Sequence, residues 1–580
     1  MRYRVRALVV SALAISLAAT GCQKTTGGGG GGGGQGPQKQ AAIIIDKDGK
    51  VGKTPAPDVP GAKKGGTLYW LEDGAPEHLN PQNAYVTDAQ SILSLVQRTL
   101  TYYIEDPQGG PLKLVGDLAT NAGESSDGDK KWTYHLRDGV KFDDGAPITS
   151  KDIAYGISRS FGKDGDNGPQ YAQLALDPDK TYKFAAGTTA PGISTPDDKT
   201  IVFTFKDPHP EMPYIAALNT TTPVPAAKDT HDAYDRAWVS TGPYTQDGAY
   251  DGSTKLTLKK NPNWDPNTDA IRHQYADAWV FDFSPSRNDQ TKRLIADQGA
   301  DQFAVGTANV AQADISTVQN DQALSKRVIS GATPFVDYVN INNTRVTDLK
   351  VRQALNYAFD RGAMITAVGG SAVAAPATAI MAPVAPGYKK YDAYPSADGH
   401  GDVAKAKELL GGQTPKLTYC FANTQTQQQY AVVIQQAMAR AGIQVVFNPI
   451  DRSAYYTTIG DKTTTCDMMR YGWGQDYPDA YTTLDVLYNG QKIVAKGNQN
   501  TCYFNQPDIN KKLDDLAKEP DRAAAADKYG ALDEEIMTKY AATIPNFQTR
   551  AYILHGSKVG GTFVSPLFAN PNLVDAYAMS

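Results

Sequence analysis

The sequence lacks the residue patterns of metal and nucleophile chemistry. Its seven histidines are scattered, with none within four residues of another, and no two cysteines are separated by two residues. This excludes the His-Glu-x-x-His and Cys-x-x-Cys zinc motifs. The Gly-x-Ser-x-Gly elbow of many hydrolases and the Walker A phosphate loop are also missing. The sequence therefore predicts no metal, no cofactor and no catalytic residue, and leaves open only a hydrolase built on carboxylates.

Strong net charge and long apolar runs are missing as well. The net charge of −5 gives nucleic acid no electrostatic attraction, so we expect no nucleic-acid partner. The longest apolar run near the start, residues 7–19, is shorter than the ~20 residues that cross a bilayer. The 580-residue chain is nevertheless long enough for several hydrophobic cores.

The first 22 residues have the pattern of an export signal. Three arginines precede the apolar run, and small residues then lead to Cys22, as in a secretory cleavage site. The stretch Ala-Ala-Thr-Gly-Cys at 18–22 resembles a bacterial lipobox, although Ala19 stands where leucine is favoured. This resemblance implies lipid attachment at Cys22 and an anchored protein on the extracellular face of the cell membrane, or its periplasmic side if the cell has an outer membrane. An ordinary secretory signal is the alternative.

Residues 23–64 predict a flexible tether. They include eight consecutive glycines, followed by Gln, Lys, Pro and Gly residues. Such a segment has too little apolar surface to offset the entropy of ordering it. We therefore expect a disordered linker between the anchor and a folded body that begins at residue 65.

Three cysteines follow Cys22. Because export places them in an oxidising compartment, one disulfide and one free thiol is the simplest account of an odd number. We predict a bridge between Cys466 and Cys502, with Cys420 as a small buried residue at the end of an apolar strand.

Apolar periodicity predicts an α/β body. Residues 65–70 suggest an opening strand, and Thr87 or Asp88 suggests the cap of a helix over 91–100. Further elements are predicted in chain order: a hairpin over 131–142, a helix capped by 149–152, a helix over 348–360, and a strand, helix and strand over 416–421, 427–441 and 444–448. The last three form a βαβ unit, for which Thr426 is the expected helix cap.

Four segments in order resemble a known family. They are Trp132–Ile153 (WTYHLRDGVKFDDGAPITSKDI), Ser240–Tyr244 with Lys260–Trp264, Asp348–Arg361 (DLKVRQALNYAFDR), and Tyr471–Asp479 (YGWGQDYPD). Together they are similar to the bacterial extracellular solute-binding proteins of family 5, the oligopeptide- and dipeptide-binding group of ABC importers. Four ordered matches are much more specific than one.

The resemblance implies an α/β fold of two lobes, like a type II periplasmic binding protein, joined by a strand hinge. An extra subdomain is expected on the first lobe. The implied divisions are 1–22 signal peptide, 23–64 tether, 65–100 with 239–337 and 542–580 first lobe, 101–238 extra subdomain, and 338–541 second lobe.

The fourth segment carries the expected binding site. Two glycines beside a tryptophan weaken a strand but allow a ligand to approach the backbone. In peptide-binding members an aspartate of this segment pairs with the peptide's α-ammonium, and Asp476 matches it; Asp476 as a turn residue before Pro478, or Asp479 in its place, are the alternatives. The implied ligand-binding residues are Asp476, Trp473, Gly474 and Gln475, faced by Tyr85, Val86 and Thr87.

The implied function is that of a non-enzymatic, monomeric receptor. It would bind short peptides between the lobes and deliver them to the ABC permease with its ATPase, while a lipid anchor holds it to the membrane. Another solute, such as an oligosaccharide, a nickel complex or a small amine, is the alternative, and a tethered extracellular hydrolase is a more distant one.

Overall fold

The computed structural model of the chain describes residues 43–579. The predicted signal peptide, the lipid-attachment residue Cys22 and residues 23–42 of the tether lie outside the described residues. In the described part of the chain, no helix combines the length and the apolar character needed to cross a membrane.

A five-stranded sheet organises the first part of the body. Its order is Ala304–Gly306, Thr67–Leu71, Ala278–Asp282, Lys255–Lys260 and Tyr244–Gln246. The predicted opening strand is confirmed at Thr67–Leu71, where Leu68, Trp70 and Leu71 are fully buried and Thr67 and Tyr69 are partly exposed. Trp279 and Phe281 on the parallel neighbouring strand enter the same core.

A six-stranded sheet organises the second part. Its order is Ala374–Pro376, Thr543–Leu554, Val328–Ile341, Met468–Gly474, Lys416–Ala422 and Gln444–Ile450. The last two strands are parallel and are joined by the helix Gln425–Arg440, which confirms the predicted βαβ unit. The helix cap is Thr424, whose hydroxyl accepts from the Gln427 amide, and not the predicted Thr426.

A four-stranded sheet has the order Glu124–Ser126, Lys131–His135, Thr200–Thr204 and Ile193–Asp197, and in chain order it falls between the first two strands of the five-stranded sheet. The predicted hairpin over 131–142 is wrong in its second half. Lys131–His135 pairs with the distant strand Thr200–Thr204, so residues 136–142 are not its partner. The predicted capping box is confirmed, since the Thr149 and Asp152 side chains satisfy each other's backbone at the start of helix Ser150–Arg159.

Two long strands connect the sheets. Val328–Ile341 and Thr543–Leu554 run antiparallel, with a shift of register between Ala332 and Val336. Beyond this shift, Val328–Ile341 pairs with Met468–Gly474 of the six-stranded sheet. At the other end, His555 bridges to Val305 of the five-stranded sheet.

The tether prediction is wrong for residues 43–64, which fold onto the body. Ile44–Ile45 forms a parallel strand beside Lys113–Gly116, which also pairs with Thr101–Ile104. The Asp46 carboxylate accepts from the backbone N–H groups of Lys50, Val51 and Gly52. Paired isoleucines and a satisfied turn supply interactions that offset the entropy of ordering residues 43–64.

The disulfide prediction is also wrong. The structure joins Cys420 to Cys466, with Cα atoms 5.8 Å apart, and leaves Cys502 as a buried thiol. Sheet pairing brings the bonded cysteines together, because Cys420 lies on a strand that pairs with Met468 and Met469, just after Cys466.

Helices fill the faces of the sheets. The helix predicted over 91–100 spans Thr87–Val96, and neither Thr87 nor Asp88 caps it, because Val86 is its first flanking residue. The helix predicted over 348–360 spans Leu349–Ala358, with Asp348 as its cap. The other helices are Tyr171–Leu176, Met212–Ile215, Arg287–Ala296, Ile315–Asn320, Gln322–Ser325, Arg361–Val368, Val403–Leu410, Tyr455–Ile459, Tyr481–Tyr488, Pro507–Ala517 and Arg522–Tyr540; a short pair of strands, Val559–Gly560 and Tyr577–Ala578, lies near the end.

Candidate ligand-binding site

The expected binding residues line one cavity. This cavity, called the ligand cavity below, has a volume of about 320 Å³, within the range of small-molecule sites. All seven residues named from the sequence border it: Tyr85, Val86, Thr87, Trp473, Gly474, Gln475 and Asp476. The first three precede helix Thr87–Val96 or begin it, and the others end the strand Met468–Gly474 and start the following turn.

Asp476 holds the centre of this arrangement. The Tyr85 hydroxyl donates a hydrogen bond of 2.6 Å to Oδ1, and the Tyr171 hydroxyl donates to Oδ2. Burial raises the pKa of Asp476 to about 6, although both hydroxyls stabilise the charged form. Among the residues that the structure describes, Asp476 is the only charged side chain that lines the ligand cavity.

Asp479, the neighbouring candidate, has a different environment. It does not line the ligand cavity, and both of its carboxylate oxygens accept from Arg522 at 2.8 Å. Oδ1 also accepts from the backbone N–H of Tyr481. Asp479 thus holds a turn, whereas Asp476 bonds only to two hydroxyls in the described part of the chain.

Trp473 offers the cavity mainly a ring surface. Its indole N–H donates to the Thr482 carbonyl at 2.8 Å, so its polar atom is already used. The indole stacks on Tyr471 with ring centroids 6.2 Å apart. Such a fixed aromatic face suits apolar contact with a bound solute.

The two glycines beside Trp473 differ. A Cβ on Gly474 would lie 2.4 Å from the Phe335 ring, so packing within the protein requires a glycine there. A Cβ on Gly472 would meet nothing nearer than Arg470 Nη2 at 3.6 Å. Of the two, only Gly472 has the free space that the sequence argument assigns to both.

Unused polar groups face or border the cavity. The amide oxygen and nitrogen of Gln475 are buried and have no hydrogen-bond partner in the described structure, and the same holds for the hydroxyls of Tyr103 and Tyr477. Buried polar atoms are normally paired, so these atoms are available to a solute. The Met468–Gly474 strand also has an open edge, because Lys416–Ala422 pairs only with its first two residues within residues 43–579.

Several residues at the ligand cavity are not predicted from the sequence. Tyr171 bonds to Asp476, and Gly472, Tyr477 and Pro478 line the cavity beside the predicted residues of the same segment. The remaining lining residues come from other segments: Gln90, Tyr102, Tyr103, Ala217, Leu218, Phe335, Leu567 and Phe568. Nothing in the sequence near Asp476 indicates these residues, because folding alone brings them to the site.

Comparison with known proteins agrees with this architecture. The sequence model of the bacterial extracellular solute-binding proteins, family 5, matches residues 113–494. The chain is 25% identical to the glutathione-binding protein GsiB of Shigella dysenteriae over 469 residues, which cover 78% of this chain and 84% of that protein.

Solved structures share the fold over most of the chain. Clavulanic acid biosynthesis oligopeptide binding protein 2 is 27% identical, with a TM-score of 0.84 over 93% of this chain and 99% of that one. DppA of Helicobacter pylori, solved in complex with the peptide STSA, is 20% identical, with a TM-score of 0.67 over 89% and 99%. The fold is therefore the two-lobe, type II α/β fold of the periplasmic binding proteins. Since the family match covers more than half of the sequence, the chain belongs to the bacterial extracellular solute-binding proteins of family 5.

Proposed function

We propose that this protein is the solute-binding receptor of an ABC importer and that it binds short peptides in the ligand cavity. The observation that carries the proposal is Asp476, the only charge on the described cavity wall. An ammonium group taken out of water needs a carboxylate partner, and Asp476 supplies one with two hydroxyls already fixing its geometry. A peptide with a free N-terminus provides such a group.

The cavity can also recognise a peptide backbone. The open edge of strand Met468–Gly474 presents main-chain groups, and an extended peptide can pair with such an edge by strand addition. The Gln475 amide can both donate to and accept from a peptide group. Because these contacts do not depend on the peptide's own side chains, we expect the receptor to accept peptides with many different side chains.

Binding would be coupled to closure of the two lobes. Tyr85 and Asp476 are 391 positions apart in sequence. Tyr85 lies beside residues of the five-stranded sheet's core, whereas Asp476 follows a strand of the six-stranded sheet. The strands Val328–Ile341 and Thr543–Leu554 link the two sheets and shift register beside the cavity, where Phe335 lines its wall. We place the hinge at this shift. A ligand that contacts both lobes then favours the closed state.

The receptor would be monomeric, non-enzymatic, attached to the membrane through acylated Cys22, and would deliver its solute to the permease and ATPase. Solutes other than peptides fit if they carry an amine, since the described wall offers a single negative charge.

Native mass spectrometry of the purified protein tests the proposal directly. We expect a copurified short peptide, or saturable binding of added tri-alanine. Release of a hydrolysed product, or a bound solute without an amine, would contradict it.

A further inference from the structure

A second cavity lies next to the ligand cavity. It has a volume of about 720 Å³ and is called the side groove below. Its walls come from Ile43 and Ile45, in and just before the strand Ile44–Ile45, from Trp132, and from the start of helix Arg522–Tyr540. Pro478 lines both cavities, so they meet at the turn that carries Asp476.

Two stacked tyrosines separate the cavities. Tyr477 lines the ligand cavity and Tyr214 lines the side groove. Their rings are nearly parallel, at 6°, with centroids 5.5 Å apart, and Tyr171 meets Tyr477 edge-on at 5.1 Å. Tyr477 and Tyr214 are only 2% and 3% exposed. The pair therefore forms a closed partition beside the Asp476 carboxylate.

Neighbouring residues hold the backbone of Tyr477 in place. Pro478 restricts the backbone of Tyr477, and Asp479 anchors the turn through its two bonds to Arg522. The Thr482 hydroxyl donates to the Tyr477 carbonyl at 3.2 Å. The Tyr477 hydroxyl has no hydrogen-bond partner in the described structure, and the contacts of Tyr477 with Tyr214 and Tyr171 are made by its ring.

We propose that Tyr477, stacked on Tyr214, is a specificity-determining wall that ends the ligand cavity beside Asp476. This inference rests on the proposed function, in which Asp476 receives the ammonium of a peptide. The wall leaves no room beyond that group, so only a peptide whose amine is terminal can place it at Asp476. Without the Tyr477 ring, the ligand cavity and the side groove would join, and a chain attached to the peptide's N-terminus could pass between them.

Two N-acylated peptides of equal charge test the wall separately from amine recognition. N-formyl-tri-alanine and N-hexanoyl-tri-alanine both lack the ammonium and differ only in the length of the acyl chain. Their affinities are measured by competition against a fluorescent tri-alanine derivative. In Tyr477→Ala we expect the hexanoyl peptide to bind at least tenfold more tightly than in the native protein, whereas binding of the formyl peptide changes less than threefold. Tyr214→Ala should act in the same direction from the other side.

Two control variants keep the test falsifiable. Tyr477→Phe retains the ring and should keep the native ratio of hexanoyl-peptide to formyl-peptide affinity, and Tyr244→Ala removes an equally buried tyrosine from the core of the five-stranded sheet. An unchanged hexanoyl-to-formyl ratio in folded Tyr477→Ala and Tyr214→Ala, or an equal gain in Tyr244→Ala, would overturn the wall. If the native protein binds tri-alanine and its formyl derivative equally well, recognition of the amine by Asp476 is refuted. The comparison of the hexanoyl and formyl peptides then still tests whether Tyr477 forms a wall. Failure of every variant to bind all three peptides would refute both.

Discussion

Replacing Asp476 with asparagine should abolish recognition of the solute's ammonium group while preserving the shape of the site. Asparagine has nearly the same size as aspartate, and its amide can meet both tyrosine hydroxyls, accepting from one and donating to the other. The bonds of Tyr85 and Tyr171 are therefore replaced rather than lost. The main change is the loss of one negative charge from the cavity wall.

The expected magnitude follows from the burial of this charge. Removing one partner of a buried, hydrogen-bonded charge pair costs about 2–5 kcal/mol. Asp476 is half-buried, so we expect the lower part of this range, about 2–3 kcal/mol. At ~1.4 kcal/mol per decade, this corresponds to a loss of affinity of roughly 30- to 150-fold.

Isothermal titration with tri-alanine and N-acetyl-tri-alanine measures the effect. The acetylated peptide should bind native protein weakly, and Asp476→Asn should change its affinity little. Asp88→Asn is the matched control, because it removes the same charge from the helix that borders the ligand cavity without altering a lining residue. Equal binding of both peptides to native protein, or equal losses in the two variants, would refute ammonium recognition by Asp476.

Affinity for tri-alanine should fall below about pH 6, because protonation of Asp476 removes its charge, and above about pH 8, because the peptide amine loses its proton. Asp476→Asn should not show the loss of affinity at low pH, and an equal loss in that variant would contradict the assignment. Gly474→Ala should lower the free energy of unfolding by about 1–3 kcal/mol and weaken binding, because its Cβ would meet Phe335 at 2.4 Å. Gly472→Ala should change the free energy of unfolding less, and equal denaturant midpoints for the two variants would be inconsistent with this contact. Alkylation of the denatured, unreduced protein should modify Cys502 but neither Cys420 nor Cys466, and a labelled Cys466 in peptide mapping would disprove the pairing. Reduction should lower the free energy of unfolding by about 4 kcal/mol, since the bond joins cysteines 46 positions apart. Cys22→Ala should release the protein from the membrane fraction, because acyl chains would provide the anchor, and unchanged fractionation and mass would argue against acylation.

Much of the fold could be predicted from the sequence, because local patterns determine local structure. The strand, helix and strand over 416–450 follow from apolar periodicity, and the capping box at Thr149 follows from four adjacent residues. The segment 471–479 likewise placed Asp476, Gln475 and Trp473 together, since neighbours in sequence stay neighbours on a strand and its turn.

Long-range pairing could not be predicted in this way. The strand Lys131–His135 alternates equally well in a hairpin or in the observed pairing with Thr200–Thr204, so its local pattern does not select a partner. The cysteines pose the same problem, because three thiols allow three pairings and only sheet register places Cys466 beside Cys420.

The sequence by itself determined the family, the α/β architecture and the carboxylate expected to receive a solute's amine. Only the tertiary structure decided what surrounds that carboxylate: the hydroxyls of Tyr85 and Tyr171, and the wall made by Tyr477 and Tyr214. The physical reason is that hydrogen bonding and ring stacking act over a few ångströms. Residues hundreds of positions apart reach that range only after the sheets have formed and the two long strands have set one side of the cavity against the other.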